Sequence, residues 1–121
     1  MAVGIIGSIG TIKKDVYKDT DVTLVPESGG VDKWVSYSTA GANCYIYDLK
    51  FTDIPNSGIT STSDISIIPS GTITQTLIEN FAQINAVEVT VDSNSNNVVR
   101  FYAFNGKPTV SIDVTLRVMN G

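Results

Sequence analysis

The chain of 121 residues contains no histidine and only one cysteine, Cys44. The first absence removes the usual general base of serine and cysteine hydrolases, and the commonest transition-metal ligand. The second excludes an internal disulfide, and with it a disulfide-stapled secreted scaffold. Cys44 has no imidazole to activate it. In the run Cys44-Tyr45-Ile46-Tyr47 it reads as a buried free thiol. One cysteine without histidine also leaves no ligand set for structural zinc. The sequence therefore implies no cofactor and no metal.

Charge is scarce as well. Charged residues make up 17% of the chain, with eight Lys and Arg against twelve Asp and Glu, a net charge of −4. Lys13-Lys14 is the single adjacent basic pair. A nucleic-acid binder needs a basic footprint to displace counterions from phosphates, so nucleic acid is not an expected partner. The N-terminal residues Met1-Ala2-Val3-Gly4-Ile5-Ile6 lack the basic region and long apolar stretch of a signal peptide. No apolar run approaches the roughly 20 residues of a membrane span. The expectation is synthesis in a cytoplasm and no membrane partner.

What is present is β-type. Apolar residues reach 42%, and Thr, Ser, Val and Ile are abundant, side chains suited to pleated, half-exposed strands. The length fits one domain, and folding at this size removes roughly two-thirds of the unfolded surface from water. Residues 1–12 differ from the rest. Gly4, Gly7 and Gly10 alternate with Ile5, Ile6, Ile9 and Ile12, too glycine-rich for a stable helix. The segment reads as a frayed terminus or edge strand, or as an apolar arm that packs on a neighbouring subunit. Its glycines lack the spacing of a phosphate loop. Residues 13–121 read as a single β-sandwich domain.

Along that domain, residues 13–20 carry mixed charges and read as surface. Strands are expected over Asp21–Val25, Lys33–Tyr37, Cys44–Phe51 and Ile65–Ile68, separated by the turn Pro26–Gly30, the loop Ser38–Asn43 and the polar stretch Asp53–Asp64. In the third strand Tyr45, Tyr47, Leu49 and Phe51 share a face. Thr74–Gln83 is the one helical candidate. Leu77 with Phe81, and Ile78 with Ala82, form an apolar stripe behind the capping-box pattern Thr76-x-x-Glu79. Val87, Val89 and Val91 alternate with polar residues, and a turn Ser93–Asn97 leads to a strand over Val98–Phe104 that is apolar except at Arg100. Asn105-Gly106 reads as a two-residue turn, because both residues tolerate positive φ. Thr109–Met119 then alternates throughout, with Val110, Ile112, Val114, Leu116 and Val118 on one face. About seven short strands and one short helix predict an all-β antiparallel sandwich, or a jelly-roll-like relative of it.

Few residues could carry chemistry. Asp48 and Asp53 lie near each other in sequence, as do Glu79 and Glu88, and they read as solvated surface positions rather than a glycosidase pair. Asp92-Ser93-Asn94-Ser95-Asn96 begins like a calcium loop but has Asn97 where glycine is needed and Ala103 where glutamate is needed, so it reads as a polar hairpin loop. Most aromatics of a small β domain fill its core. Trp34, Tyr37 and Tyr102 are the candidates for an exposed platform that stacks on a glycan.

The C-terminal half carries a resemblance. Val99-Arg100-Phe101-Tyr102-Ala103, Lys107-Pro108-Thr109 and Ile112-Asp113-Val114-Thr115-Leu116-Arg117-Val118 resemble the end of small β-rich structural proteins encoded by tailed phages of Gram-positive hosts. In those proteins a short helix, here Leu77–Ile84, often precedes the last strands. The resemblance covers residues 64–119. It implies a virion location and a non-enzymatic role as a capsid decoration, head fibre, or neck or tail appendage. The expected partners are further copies of the chain, as a trimer or dimer, and a capsid or tail protein. A carbohydrate- or host-surface-binding module is the alternative.

Overall fold

The strictly alternating C-terminal segment becomes the middle of a sheet, as one apolar and one polar face require. In the computed structural model, which describes residues 17–119 apart from Pro55, β9 (Ile112–Met119) lies between β1 (Tyr17–Leu24) and β6 (Asp64–Pro69), antiparallel to both. The proposed arm residues Ile5, Ile6, Ile9 and Ile12 lie outside the described residues. A second, four-stranded sheet has the order β4 (Val35–Ser36), β5 (Tyr45–Lys50), β8 (Asn97–Ala103), β7 (Ala86–Val91). A two-stranded ribbon, β2 (Glu27–Ser28) with β3 (Val31–Asp32), completes the strands. The result is the all-β, sandwich-like architecture that the sequence predicts, with one short helix, α1 (Gln75–Phe81).

Both sheets contribute their apolar faces to one core. Leu24, Ile112, Val114, Leu116 and Val118 come from the three-stranded sheet, and Tyr47, Val99, Phe101 and Ala103 from the four-stranded one. Tyr47 packs edge-on against Trp34 at 5.3 Å and against Phe101 at 6.2 Å. Burial pushes the Tyr47 hydroxyl pKa up, opposed by its bond to the Val25 backbone. Each large side chain enclosed in this way contributes roughly 1.5–3 kcal/mol. Cys44 is buried and free.

Several boundaries differ from the sequence reading. The first strand begins at Tyr17 rather than Asp21, because Asp19 of its first half points outward and pairs across the sheet with Arg117, while Lys18 reaches the Asn56 carbonyl. The strand expected over Lys33–Tyr37 is broken. Val31–Asp32 pairs with β2, the chain bends at Lys33 and Trp34, and only Val35–Ser36 joins the four-stranded sheet. The ribbon turns at Gly29 and Gly30, with φ of +59° and +79°, the two positive values that a two-residue hairpin demands. Asn105-Gly106 is not such a hairpin, because β8 and β9 belong to different sheets and the loop between them crosses the sandwich. Within it Gly106 (φ +105°) donates its N–H to the Asn43 carbonyl at 3.0 Å. The last strand starts at Ile112, and Val110 is left exposed.

Helix α1 is also shorter than expected and is capped elsewhere. The cap is Thr74, whose Oγ1 accepts from the Leu77 N–H at 3.0 Å. Thr76 lies inside the helix, and Glu79 accepts from Gln75 Nε2 instead of closing a capping box. Phe81 packs on the core, whereas Ile78 and Ala82 are exposed, so the apolar stripe is narrower than its sequence suggested. Among the described residues no helix is long and apolar enough to cross a membrane.

Candidate functional site: the outer face of the four-stranded sheet

Antiparallel pairing decides which side chains meet on this face. Tyr45, Tyr47 and Leu49 of β5 turn inward, so Ile46, Asp48 and Lys50 turn outward. The register sets Ile46 opposite Tyr102 and Asp48 opposite Arg100. On the other side of β8, Glu88 stands opposite Arg100. Val35 of β4 faces Ile46. One outward row thus carries Asp48, Arg100 and Glu88 across three strands, and the row beside it carries Val35, Ile46 and Tyr102.

Arg100 is the hub. Its Nε and Nη2 donate to the two oxygens of Asp48 at 2.8 and 2.9 Å. The side chains are only 12% and 25% exposed, which makes the pair charge-assisted, bidentate and partly dehydrated. The guanidinium also lies over the Tyr37 ring at 5.3 Å, a cation–π contact. Hydrogen bonding to the Asp48 carboxylate holds the Arg100 pKa above its ordinary value. Tyr37 meets Tyr102 edge-on at 6.2 Å, and Tyr102 leans on Phe104 at 5.7 Å. The Tyr102 hydroxyl donates to Glu88. Burial, reinforced by that carboxylate and opposed by Arg100, pushes its pKa up to about 12.

Beside this cluster is a cleft of about 450 Å³. Its floor is Ile46, Asp48 and Arg100, and Val35 and Tyr37 border it. Val31, Asp32 and Lys33 supply one wall, and Asp92 and Ser93 of the β7–β8 turn supply another. That turn is rigid by its own chemistry. Asp92 Oδ1 accepts from the N–H groups of Asn94 and Asn96 at 2.8 and 2.9 Å, with Ser95 at a φ of +65°. These amide bonds, Asn96 first, hold the Asp92 carboxyl below its usual pKa. The residues that open like a calcium loop therefore turn their leading carboxylate onto the hairpin's own backbone. Among the described residues no group of three or more acidic, Cys or His side chains converges for a metal ion.

The structure brings together two of the three aromatics singled out for a platform. Tyr37 and Tyr102 meet on this face. Trp34 does not join them, being 1% exposed within the core. The bend at Lys33-Trp34 turns its indole inward against Tyr47, and its Nε1 makes no hydrogen bond to the described residues. Asp48 is half-buried in an ion pair rather than solvated, while Asp53 and Glu79 are exposed. Sequence reasoning missed Ile46, Phe104, Glu88 and Asp48 as members of one site. The available signal was Arg100, the lone charge in an otherwise apolar strand, which had to find an outward acidic neighbour.

The fold and this face define a class: a small antiparallel sandwich with an aromatic and apolar cluster around an ion pair on the outer face of one sheet. Comparison with known proteins adds no family to that description, since no family model, no curated protein and no solved structure matches the chain.

Proposed function

We propose that the protein is a non-enzymatic structural or accessory component of a tailed-phage particle, which acts by contact and uses the outer face of its four-stranded sheet as the contact surface. The observation that carries this reading is exposed apolar surface on that side. Val31, Val35 and Phe104 are 65%, 56% and 44% exposed beside Tyr37 and Tyr102. Apolar and aromatic residues left in water around a partly dehydrated Arg–Asp pair are what an interface centre contains. The β-rich composition and the C-terminal resemblance supply the virion setting. Assembly as a dimer or trimer rests on this face, Phe104 included, together with the apolar residues of the 1–12 segment.

The solution mass, by light scattering coupled to size exclusion at two concentrations, tests the assembly role. A closed dimer or trimer is expected, and deletion of residues 1–12 is expected to lower it towards the monomer. A strict monomer at both concentrations would overturn the assembly role. An oligomer unchanged by the deletion would remove the N-terminal segment from it. One observation favours a surface-binding module within the same reading, namely the cleft beside the aromatic cluster.

A further inference from the structure

Every charge bordering the cleft is answered by a group of the protein itself. Arg100 is held by Asp48. Asp32 meets Lys107 at 3.2 Å. Asp92 accepts from the amides of its own turn. Lys33 lies over the Tyr47 ring at 5.5 Å. Arg100 and Asp32 are neutralised by ion pairs, while Lys33 and Asp92, without an ion-pair partner among the described residues, offer one charge of each sign, so the lining favours neither an anion nor a cation. The cleft nevertheless keeps hydrogen-bonding capacity. A guanidinium has five N–H donors, of which Asp48 takes two and the Tyr102 hydroxyl oxygen engages another, and each Asp48 oxygen retains a lone pair after accepting one bond. Donors and acceptors thus stand side by side on paired strands, next to the apolar surface of Val31, Val35 and Ile46. A neutral polyol with an apolar C–H face matches that pattern, because its hydroxyls donate and accept at once. The volume of about 450 Å³ falls in the range of small-ligand sites, about 300–1,000 Å³.

We propose that the cleft between β3 and the β7–β8 turn binds a neutral saccharide, with vicinal hydroxyls shared between Asp48 and Arg100 and the C–H face of the ring against Val35, Ile46 and Tyr37. The proposal rests on the four-stranded face being the contact surface, and it names what part of that surface contacts. The Asp48–Arg100 pair acts here as a preformed, oriented donor–acceptor unit. Tyr37, held beneath the guanidinium, keeps that unit from swinging away.

The test is an amide and arginine side-chain NMR titration of the full chain. The neutral probes are maltotriose and N,N′-diacetylchitobiose, and the charged ones are 3′-sialyllactose and trigalacturonic acid, each at about 10 mM, tenfold above a Kd of about 1 mM. The expected result is saturable shifts with a neutral probe at the Arg100 Nε–H and at the amides of Asp48 and Ser93. Asp48→Asn is expected to weaken binding about tenfold, the loss of one charge-assisted bond. Asp48 is half-buried, so a variant on the exposed turn, Ser93→Trp, provides a second check and is expected to block the cleft without touching the core. Silence of both neutral probes, preference for a charged probe, or shifts elsewhere on the molecule would overturn the proposal. The oligomer mass of Phe104→Lys separates this failure from that of the wider reading. If the saccharides are silent while Phe104→Lys lowers the mass, the face is a protein contact and only the saccharide is wrong. If neither responds, both fall.

Discussion

The two outer faces carry the same motif in different surroundings. On the three-stranded sheet Arg117 grips Asp19 with two bonds of 2.8 Å and lies over the Tyr17 ring at 4.8 Å. On the four-stranded sheet Arg100 grips Asp48 at 2.8 and 2.9 Å and lies over Tyr37 at 5.3 Å. Both pairs join residues directly opposite in antiparallel strands. Their exposure differs: 37% and 39% for Arg117 and Asp19, against 12% and 25% for Arg100 and Asp48. Around the first pair the face is tiled by further polar bonds, Thr115 to Asp21 at 2.7 Å and Thr23 to Asp113 at 2.6 Å. Around the second stand Ile46, Tyr37, Tyr102 and Phe104. The three-stranded face also exposes apolar side chains, Tyr17, Ile68 and Met119, so identical geometry serves two faces that differ in the enclosure of the ion pair and in the polar bonds around it. The lesson is that the enclosure of an ion pair, rather than its bond lengths, distinguishes the two faces.

Behind both outer faces lies one shared core, which sets the scale of the stability effects. Phe101→Ala behind the four-stranded face and Leu116→Ala behind the three-stranded face are each expected to cost about 3–4 kcal/mol, since both side chains are fully enclosed. Urea unfolding midpoints measure this. A loss below about 1 kcal/mol for either would mean that its sheet does not pack as described.

Next in size is the contrast between the pairs themselves. Asp48→Ala strands a mostly enclosed guanidinium, and a loss of about 2 kcal/mol is expected, below the figure for a fully buried pair. Asp19→Ala frees Arg117 into water and is expected to move the urea midpoint far less than Asp48→Ala does. The same urea series, run in low and high salt, checks both, and salt should matter more for the exposed pair. Equal losses at the two sites would erase the distinction on which the contact-face assignment depends.

How far these features could be read in advance depended on whether the cause was local. The alternation over Ile112–Val118 fixed the inner and outer faces of β9, and the outward position of Arg117 followed. The β7–β8 hairpin was equally legible from its valines and its polar turn. Which turn closes a hairpin was not. Asn105-Gly106 has the better two-residue turn chemistry in isolation, yet its flanking strands are claimed by different sheets, while Gly29-Gly30 closes the only two-residue hairpin among the described residues. Trp34 was misplaced for a related reason, since inside a continuous strand it had no fixed side and the bend that buries it comes from β3 pairing with β2. The site lay further from view because it is a cross-strand object. Arg100 and Asp48 are 52 residues apart and meet only through the β5–β8 register.

The smallest expected effect separates the faces by pH. On the four-stranded side Tyr102 has its pKa raised to about 12, chiefly by burial. The folded state holds this proton more tightly than the unfolded chain, whose tyrosine titrates near 10. Its contribution is complete below about pH 10 and disappears as the pH climbs through the folded value. On the three-stranded side the hydrogen bonds from Arg117 lower the Asp19 pKa, so its contribution is present above the usual carboxylate pKa and disappears as the pH falls through the lowered one. The alkaline limb of stability thus reports on one face and the acid limb on the other. Each face shares its limb with another group, Tyr47 on the alkaline side and Asp92 on the acid side, so substitution must separate them. Tyr102→Phe is expected to flatten the alkaline limb only in part, by about 1 kcal/mol between pH 9 and 11.5, and to leave the acid limb unchanged. Asp19→Asn is expected to do the reverse, flattening the acid limb alone. Urea midpoints collected across the pH range decide it. An alkaline limb unaltered in Tyr102→Phe would mean that its hydroxyl is as hydrated as the polar groups of the opposite face, and the asymmetry between the two faces would then reduce to the Asp48–Arg100 pair.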